Sequence, residues 1–271
     1  ASANSATRAW GGRLVREAPT ALPSVAPPGT RDCEAGGGGR EVDAANRLAA
    51  MGLAKGLEQR LENLVDGVSA TVFRGTMHPV TIASRLVRQL EFLAEATPAG
   101  VQIPNEIGVA LNTNDLDASI DVDDLSKELE TVVTEAAIEN GWRLVGPIGI
   151  DLETSPKVPR GIVQCAGNSV PGPLPAWAQL ISADGTAAVP LTMNGTLIGR
   201  SLESDIRFAN SEVSRNHAVI TRRGTLAFVR DLGSSNGTFV NGDRVHDLPV
   251  QVLPGATITF GDLVFTLRPV H

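Results

Sequence analysis

The sequence predicts a small α+β domain followed by an all-β sandwich. Apolar residues recur at helical spacing in the first half of the chain, whereas the second half consists of short β-patterned runs separated by turns. A stretch rich in proline and glycine separates the two patterns. These changes predict four segments: a tail at 1–50, an acidic α+β domain at 51–170, a linker at 171–176 and the sandwich at 177–271.

Composition argues against a membrane-embedded or secreted protein. No apolar run approaches the roughly 18–20 residues that span a bilayer. Arg8 and Arg13 are not followed by the apolar segment of a secretory signal. Cys33 and Cys165 lack the spacing of metal ligands, and two such thiols suit a reducing compartment. We therefore expect a cytoplasmic protein without metal or cofactor, recruited at most to the inner face of the membrane.

The first fifty residues are rich in Ala, Gly, Pro and Arg and keep no helical or strand period. The glycines at 36–39 are not followed by the Gly-Lys-Ser/Thr of a phosphate-binding loop. Such a segment cannot bury enough apolar surface to offset its chain entropy, so we expect a disordered tail. Met51 opens the first amphipathic pattern, which places a candidate biological start there.

Charge is unevenly distributed along the chain. Residues 51–170 hold nine Lys and Arg against seventeen Asp and Glu, and this balance argues against a nucleic-acid partner. Residues 186–271 hold eight basic and seven acidic residues, and all the basic residues are arginine. Because the guanidinium fork recognises anions through two parallel hydrogen bonds, this half favours geometric recognition of an anion.

The acidic domain has the predicted element order ααβαβ(β). Helices are predicted at about 53–68, 79–95 and 122–140, and strands at 106–111, 142–145, 148–154 and 161–166. Five acids crowd the start of the third helix: Asp115, Asp117, Asp121, Asp123 and Asp124. They lack the mid-loop glycine and terminal glutamate of a calcium loop, so we interpret them as a solvated helix cap. His78 is predicted to be a surface residue.

The second half contains nine predicted strands and no helical stripe. The strands are 178–182, 187–191, 196–199, 206–208, 218–221, 226–231, 238–240, 257–260 and 263–267. Four residues on turns between them, Arg200, Ser214, Arg215 and Asn236, carry the donors that a doubly charged phosphate requires. Each charge-assisted hydrogen bond is worth on the order of 1.5–3 kcal/mol, so two or three would distinguish a phosphorylated peptide from a bare one.

These motifs resemble a forkhead-associated (FHA) domain. The resemblance covers about residues 177–271 and rests on Gly199-Arg200, Ser214-Arg215-x-His217, Ser235-Asn236-Gly237-Thr238 and Asn241-Gly242. It implies a sandwich of about eleven strands that binds phosphothreonine through loops at one end. By position, the resemblance implies that Arg200 and Ser214 contact phosphate and that Arg215 and Ser235 line the pocket. It further implies that Asn236 holds the peptide backbone, while Gly199, His217 and Gly237 support the site.

The N-terminal half is similar to the uncharacterised N-terminal domain of actinobacterial FHA-domain A proteins. The similarity rests on Met51-Gly52 before paired helices, on Pro104-Asn105-Glu106 before a strand, and on Asn140-Gly141-Trp142. It implies an adaptor in Ser/Thr kinase signalling that is linked to cell-wall synthesis and division. The implied partners are phosphothreonine-containing kinases and their substrates, including the phosphorylated pseudokinase region of the lipid II flippase.

The sequence leaves three alternatives to a phosphothreonine reader. Ser214 and His217 could form a hydrolase pair, but no G-x-S-x-G elbow is present and the neighbouring arginines suit an anion better. The acidic domain could be an enzyme, but its sequence contains no recognisable set of catalytic residues, so we expect no enzymatic activity. The chain could instead be a scaffold whose pocket is closed by a phosphothreonine of its own. The candidates for that residue are Thr71, Thr76, Thr81 and Thr97.

Overall fold

The computed structural model describes residues 77–117, 120–246 and 248–270. The predicted tail and the predicted helix at 53–68 lie outside them. The N-terminal elements are α1 (Pro79–Leu93), β1 (Glu95–Thr97), β2 (Gly100–Gln102), β3 (Glu106–Leu111), α2 (Val122–Asn140), β4 (Gly149–Thr154) and β5 (Gln164–Asn168).

A three-stranded sheet carries the N-terminal core. β3 lies at its centre, parallel to β4 and antiparallel to β5, and β1 and β2 form a separate hairpin. Every second residue of β3 is buried, as the alternation of its apolar residues predicts. These residues share one apolar cluster with Leu86 and Leu90 of α1 and with Leu125 and Leu129 of α2. The predicted α+β architecture of this half is therefore confirmed for the described elements.

Both helices begin at a side chain that accepts backbone hydrogen bonds. Asp121 accepts from the N–H groups of Asp123 and Asp124 at 2.9 and 3.1 Å, so the acids at the start of α2 include a true N-cap. Gly141 ends this helix in the left-handed conformation. His78, predicted to be a surface residue, is half-buried and caps α1 through Nδ1, which accepts from the Val80 N–H. The imidazole is thus partly exposed, and the structure adds a role that the sequence did not indicate, that of a helix cap.

Eleven further strands form the predicted sandwich. They are β6 (Ala178–Ser182), β7 (Ala188–Leu191), β8 (Gly195–Gly199), β9 (Ile206–Arg207), β10 (Ala218–Arg223), β11 (Leu226–Asp231), β12 (Thr238–Val240), β13 (Asp243–Arg244), β14 (Val250–Val252), β15 (Thr257–Phe260) and β16 (Leu263–Pro269). One sheet has the order β14-β11-β10-β8-β9 and the other β13-β12-β15-β16-β6-β7. Between the sheets, Phe208 and Phe265 stack with ring centroids 4.9 Å apart, beside the fully buried Phe260.

Several predicted boundaries are wrong. The sequence predicted a strand at 142–145, but only Arg143 pairs, through an isolated bridge to Gln102. The predicted helix through Glu95 ends at Leu93, and the β1–β2 hairpin follows. The strand predicted at 161–166 is displaced to Gln164–Asn168 and ends just before the predicted linker at 171–176. Strands β1, β2 and β5 are three to five residues long, so their periodicity is too short to detect.

Within the described residues, no helix is long and apolar enough to cross a membrane. The same part of the chain contains no group of three or more His, Cys, Asp or Glu side chains that could hold a metal ion.

Removing the Asp121 cap should destabilise the N-terminal half. The Asp121→Ala substitution leaves two backbone donors of α2 without their side-chain acceptor, and we expect a loss of about 1 kcal/mol. Urea unfolding monitored by circular dichroism measures this loss. The matched control is Asp123→Ala, which removes the same charge in the first turn but leaves the cap in place. Equal losses in the two variants would contradict a specific role for Asp121.

Candidate phosphate-binding site

A surface cavity lies where three loops of the sandwich meet. The loops follow β8 (residues 200–205), precede β10 (208–217) and join β11 to β12 (232–237). The cavity has a volume of about 600 Å³ and is lined by Arg200, Ser201, Glu203, Ser214, Arg215, Asn216 and Ser235. Four of the five predicted phosphopeptide-binding residues therefore share one cavity, and the fifth, Asn236, adjoins Ser235 on the chain.

Two arginines bring positive charge to this cavity. Arg200 is exposed, and its Nε donates to the Val213 carbonyl at 3.2 Å. Its backbone N–H donates to the Ser214 carbonyl at 2.9 Å, which ties the first loop to the second. The Arg215 side chain is also exposed. In the described part of the chain neither guanidinium forms an ion pair with a carboxylate, so both are available to a bound anion.

The Ser214 hydroxyl joins two of the loops and keeps a donor for a ligand. Its Oγ accepts a hydrogen bond from the Ser235 N–H at 3.1 Å. Because the hydroxyl acts there as an acceptor, its own hydrogen remains available to an oxygen in the cavity. Ser214 is half-buried, whereas Ser235 is exposed beside it.

His217 supports Ser214 from beneath. The imidazole is fully buried, and its Nδ1 accepts from the Ser214 N–H at 3.0 Å. Since a backbone N–H can only donate, the hydrogen must lie on Nε2, which donates to the Gly237 carbonyl at 3.1 Å. Burial lowers the pKa of His217, and the hydrogen bond to Gly237 and the charge of Asp231 offset only part of this effect. The ring therefore stays neutral and links the loops of Ser214 and Gly237.

The loop of Ser235 and Asn236 is organised by Asp231, which sequence reasoning missed. Its carboxylate accepts from the N–H groups of Gly233 and Ser234 and from the hydroxyls of Ser234 and Thr238, at 2.6–2.8 Å. Burial alone would raise the pKa of Asp231, but these hydrogen bonds outweigh it and lower the pKa. The Asp-x-Gly-Ser order of an Asx turn could have identified the residue.

Asn236 lies at the rim of the site and not among the residues that line the cavity. Its Nδ2 donates to the backbone carbonyl of Glu212 at 3.1 Å and to the Glu212 carboxylate at 2.7 Å. Both hydrogen bonds use the side-chain amide nitrogen of Asn236, which is thereby turned towards the loop before β10. The Asn236 Oδ1 has no hydrogen-bond partner within residues 77–117, 120–246 and 248–270, so an extended peptide could donate to it.

Gly199 and Gly237 are required by the backbone around the site. A Cβ at Gly199 would lie 2.0 Å from the Arg215 carbonyl oxygen and 2.7 Å from Ser204 Oγ. Gly237 has φ +84°, a conformation that L side chains rarely adopt. The three residues predicted to support the site, Gly199, His217 and Gly237, therefore all lie directly behind it.

Two family models match this chain. The model of the FhaA N-terminal domain matches residues 55–166, and that of the FHA domain matches residues 196–261. The chain belongs to the proteins that join an FhaA N-terminal domain to an FHA domain. FHA domains are phosphothreonine-binding adaptor modules, and the cavity is formed within the matched FHA segment.

Actinobacterial relatives resemble the FHA-containing part of the chain. The FHA domain-containing protein FhaB of Mycolicibacterium smegmatis is 35% identical over 94 residues, which are 34% of this chain and 60% of that protein. The transcriptional regulatory protein EmbR of Mycobacterium tuberculosis is 39% identical over 79 residues, 29% of this chain and 20% of its own length. The chain therefore spans less than two thirds of either relative.

Solved structures of FHA domains also align with about a third of the chain. One is the FHA domain of FhaA in complex with the intracellular domain of Rv3910, which is 32% identical. The alignment covers 34% of this chain and 99% of that one, with a TM-score of 0.31. A second FHA domain, studied for phosphothreonine-dependent interactions, is 31% identical over 35% of this chain and 97% of its own, with a TM-score of 0.32.

A side chain at Gly199 should disrupt the FHA domain. In Gly199→Ala the new Cβ would meet the Arg215 carbonyl at 2.0 Å, so the backbone of the two loops must separate. We expect destabilisation of about 1–3 kcal/mol in urea unfolding. Gly108→Ala in β3 is the matched control, because its Cβ would meet only the Ala166 carbonyl, at 3.9 Å. Indistinguishable unfolding of the two variants would contradict the close packing at Gly199.

The neutral His217 should make the FHA domain sensitive to acid. The pKa of His217 in the folded state lies below its value of about 6.5 in the unfolded chain. Just below pH 6.5, His217 is therefore protonated in the unfolded chain but stays neutral in the folded chain. The resulting stability is present above about pH 6.5 and is lost as the pH falls below it. Urea unfolding across this range should show the loss in wild type and in His246→Gln but not in His217→Gln. An unchanged pH dependence in His217→Gln would exclude this origin.

Proposed function

We propose that this chain is a phosphothreonine-dependent adaptor whose FHA domain binds phosphorylated proteins at the cavity of Arg200 and Ser214. Two guanidinium groups that form no ion pair within the described residues converge there with the Ser214 hydroxyl, whose hydrogen is free to donate, and this supports the proposal most directly. A phosphothreonine carries roughly −1.5 to −2 charge and three acceptor oxygens, which need donors of this kind.

Each predicted residue has a distinct role in this proposal. Arg200 and Ser214 contact the phosphate, one through charge-assisted hydrogen bonds and the other through its hydroxyl. Arg215 supplies a second positive charge, and Ser235 lines the cavity beside Ser214. Asn236 binds the backbone of the phosphopeptide from the rim and fixes its register. Glu203 also lines the cavity, and its negative charge makes the part of the cavity near it unfavourable for an acidic residue of the peptide.

The proposed partners are Ser/Thr kinases and their substrates at the inner face of the membrane. The resemblance to FHA-domain A proteins implies control of cell-wall synthesis or division, with the pseudokinase region of a lipid II flippase as a candidate partner. The adaptor role needs no catalytic group, so the proposal includes no enzymatic activity, metal or cofactor.

Closure of the pocket by a phosphothreonine of the chain itself stays a prediction. Thr71 and Thr76 lie outside the described residues. Thr81 lies in the first turn of α1 and is half-buried, and the Thr97 hydroxyl donates to the Gly100 carbonyl at 2.7 Å. Mass spectrometry after kinase treatment, combined with a peptide-competition assay, tests this alternative. A phosphorylated chain that binds added peptide as well as the unmodified chain does would exclude it.

Calorimetry with a phosphothreonine peptide and its unphosphorylated twin tests the proposed function. We expect binding of the phosphorylated peptide alone, and at least about tenfold weaker binding for Arg200→Ala or Ser214→Ala, because each removes a hydrogen bond to a charged group. Arg268→Ala in β16 is the matched control, since it removes an exposed arginine from a strand outside the cavity. Equal affinity for the two peptides would refute the proposal.

A further inference from the structure

An arginine of the N-terminal half reaches into the FHA domain. Arg143 follows the end of α2, and its side chain is only 11% exposed. Its Nη1 and Nη2 donate to the two carboxylate oxygens of Asp205 at 2.6 and 2.7 Å, and Nη1 also donates to the Gly195 carbonyl at 2.6 Å. Nε donates to the Gln102 side chain at 3.2 Å, which holds the guanidinium from its own half. This is a forked, nearly buried ion pair.

Asp205 closes the loop that lines one side of the cavity. Its Oδ2 also accepts from the Leu197 N–H of β8 at 2.7 Å, so the carboxylate spans the loop of residues 200–205. The preceding residue, Ser204, donates its hydroxyl to the Arg215 carbonyl at 3.2 Å, and Ser201 donates its N–H to the same carbonyl at 3.1 Å. The Arg143–Asp205 pair is thus connected to the segments that carry both cavity arginines.

The surroundings of this pair keep the two halves in close contact. The Asn194 side chain donates to the Trp142 carbonyl at 3.0 Å, and a Cβ at Gly195 would lie 2.5 Å from the Ala99 carbonyl oxygen. Ala99 also packs on Leu197 and Val219, which belong to the outer face of the β8–β10 sheet. This contact explains why all five residues of β8 are buried, although one of its faces points away from the sandwich core.

We infer that Arg143 is a positioning residue for the phosphopeptide site, so that the N-terminal half sets the affinity of the FHA domain for its ligand. The inference rests on the proposed function and extends it. The Asp205 side chain is only 15% exposed, and with Arg143 removed its one remaining partner within the described residues is the Leu197 N–H. That carboxylate gains solvation by moving outward, and the loop of Arg200, Ser201 and Glu203 moves with it.

A loop released in this way samples several conformations, and peptide binding must return it to the one conformation that holds the ligand. Ordering a released side chain and its loop costs free energy at each binding event, which appears as weaker affinity. We expect Arg143→Ala to weaken phosphothreonine-peptide binding on the order of 5- to 10-fold, although Arg143 is not among the residues that line the cavity.

The test uses the full chain and the peptide pair described above. Arg143→Ala and Asp205→Asn should each weaken binding, and the double variant should lose no more than the worse single variant, because both break the same pair. Arg223→Ala is the matched control, because the Arg223 side chain packs on Gly141 where the N-terminal half meets the FHA domain. Arg223 is the last residue of β10, about 17 Å along the strand from the end that lies next to the cavity. It should bind within about twofold of wild type.

Hydrogen exchange without peptide gives a second readout. In Arg143→Ala, the amides of Leu197 and Ser201 should exchange faster, while those of β16 and the whole of α2 keep their protection. A merely structural role would instead raise exchange throughout both halves. Should Arg143→Ala fail to fold, Arg143→Lys and Asp205→Asn carry the test, since a lysine keeps the charge but not the fork.

The outcomes separate this inference from the proposed function. If wild type does not distinguish the phosphorylated peptide from its twin, the proposed function fails and this inference fails with it. If wild type binds and Arg143→Ala binds equally well, with unchanged exchange at Leu197 and Ser201, only the inference is overturned. Weakened binding with faster exchange confined to that loop supports it.

Discussion

A neutral, fully buried imidazole connects the two loops that carry the serines of the candidate site. His217 accepts the Ser214 N–H with one nitrogen and donates to the Gly237 carbonyl with the other. The two bonds leave the Ser214 Oγ in reach of the Ser235 N–H. Since a charged ring would have to donate at both nitrogens, it would lose the Ser214 contact. The arrangement of the candidate phosphate-binding donors therefore depends on an uncharged core histidine.

Two carboxylates near the candidate site are held in place by hydrogen bonds and an ion pair. Asp231 has its carboxylate occupied by four donors of its own loop, and Asp205 is paired with Arg143. Neither is left to neutralise Arg200 or Arg215, although both lie on segments next to the cavity. The FHA domain, close to neutral over residues 186–271, thus presents a locally cationic site. The anion that we propose for this site would be held by local geometry and not by the net charge of the domain.

Much of this arrangement could be predicted from sequence. The boundaries of α2 and β3 follow from a long apolar stripe and from a clean alternation, and both agree with the prediction to the residue. Arg200, Ser214 and Arg215 were expected at one site because each stands on a turn of a β-rich segment, and Ser235 because the resemblance to FHA domains implied it. The sequence did not predict the residues whose partners lie far away along the chain. Arg143 and Asp205 are 62 positions apart, and no local pattern relates them. Asn236 was expected to contact a ligand, but its bonds to Glu212 depend on how two loops pack.

The central claim is that the loops around Arg200, Ser214 and Ser235 receive a phosphorylated threonine. An NMR titration of the full chain with a phosphothreonine peptide tests this most directly. The account predicts that the largest amide shifts map to residues 200–205, 212–217 and 233–237, and that they vanish with the unphosphorylated peptide. Shifts that map elsewhere, or that are the same for both peptides, would contradict it.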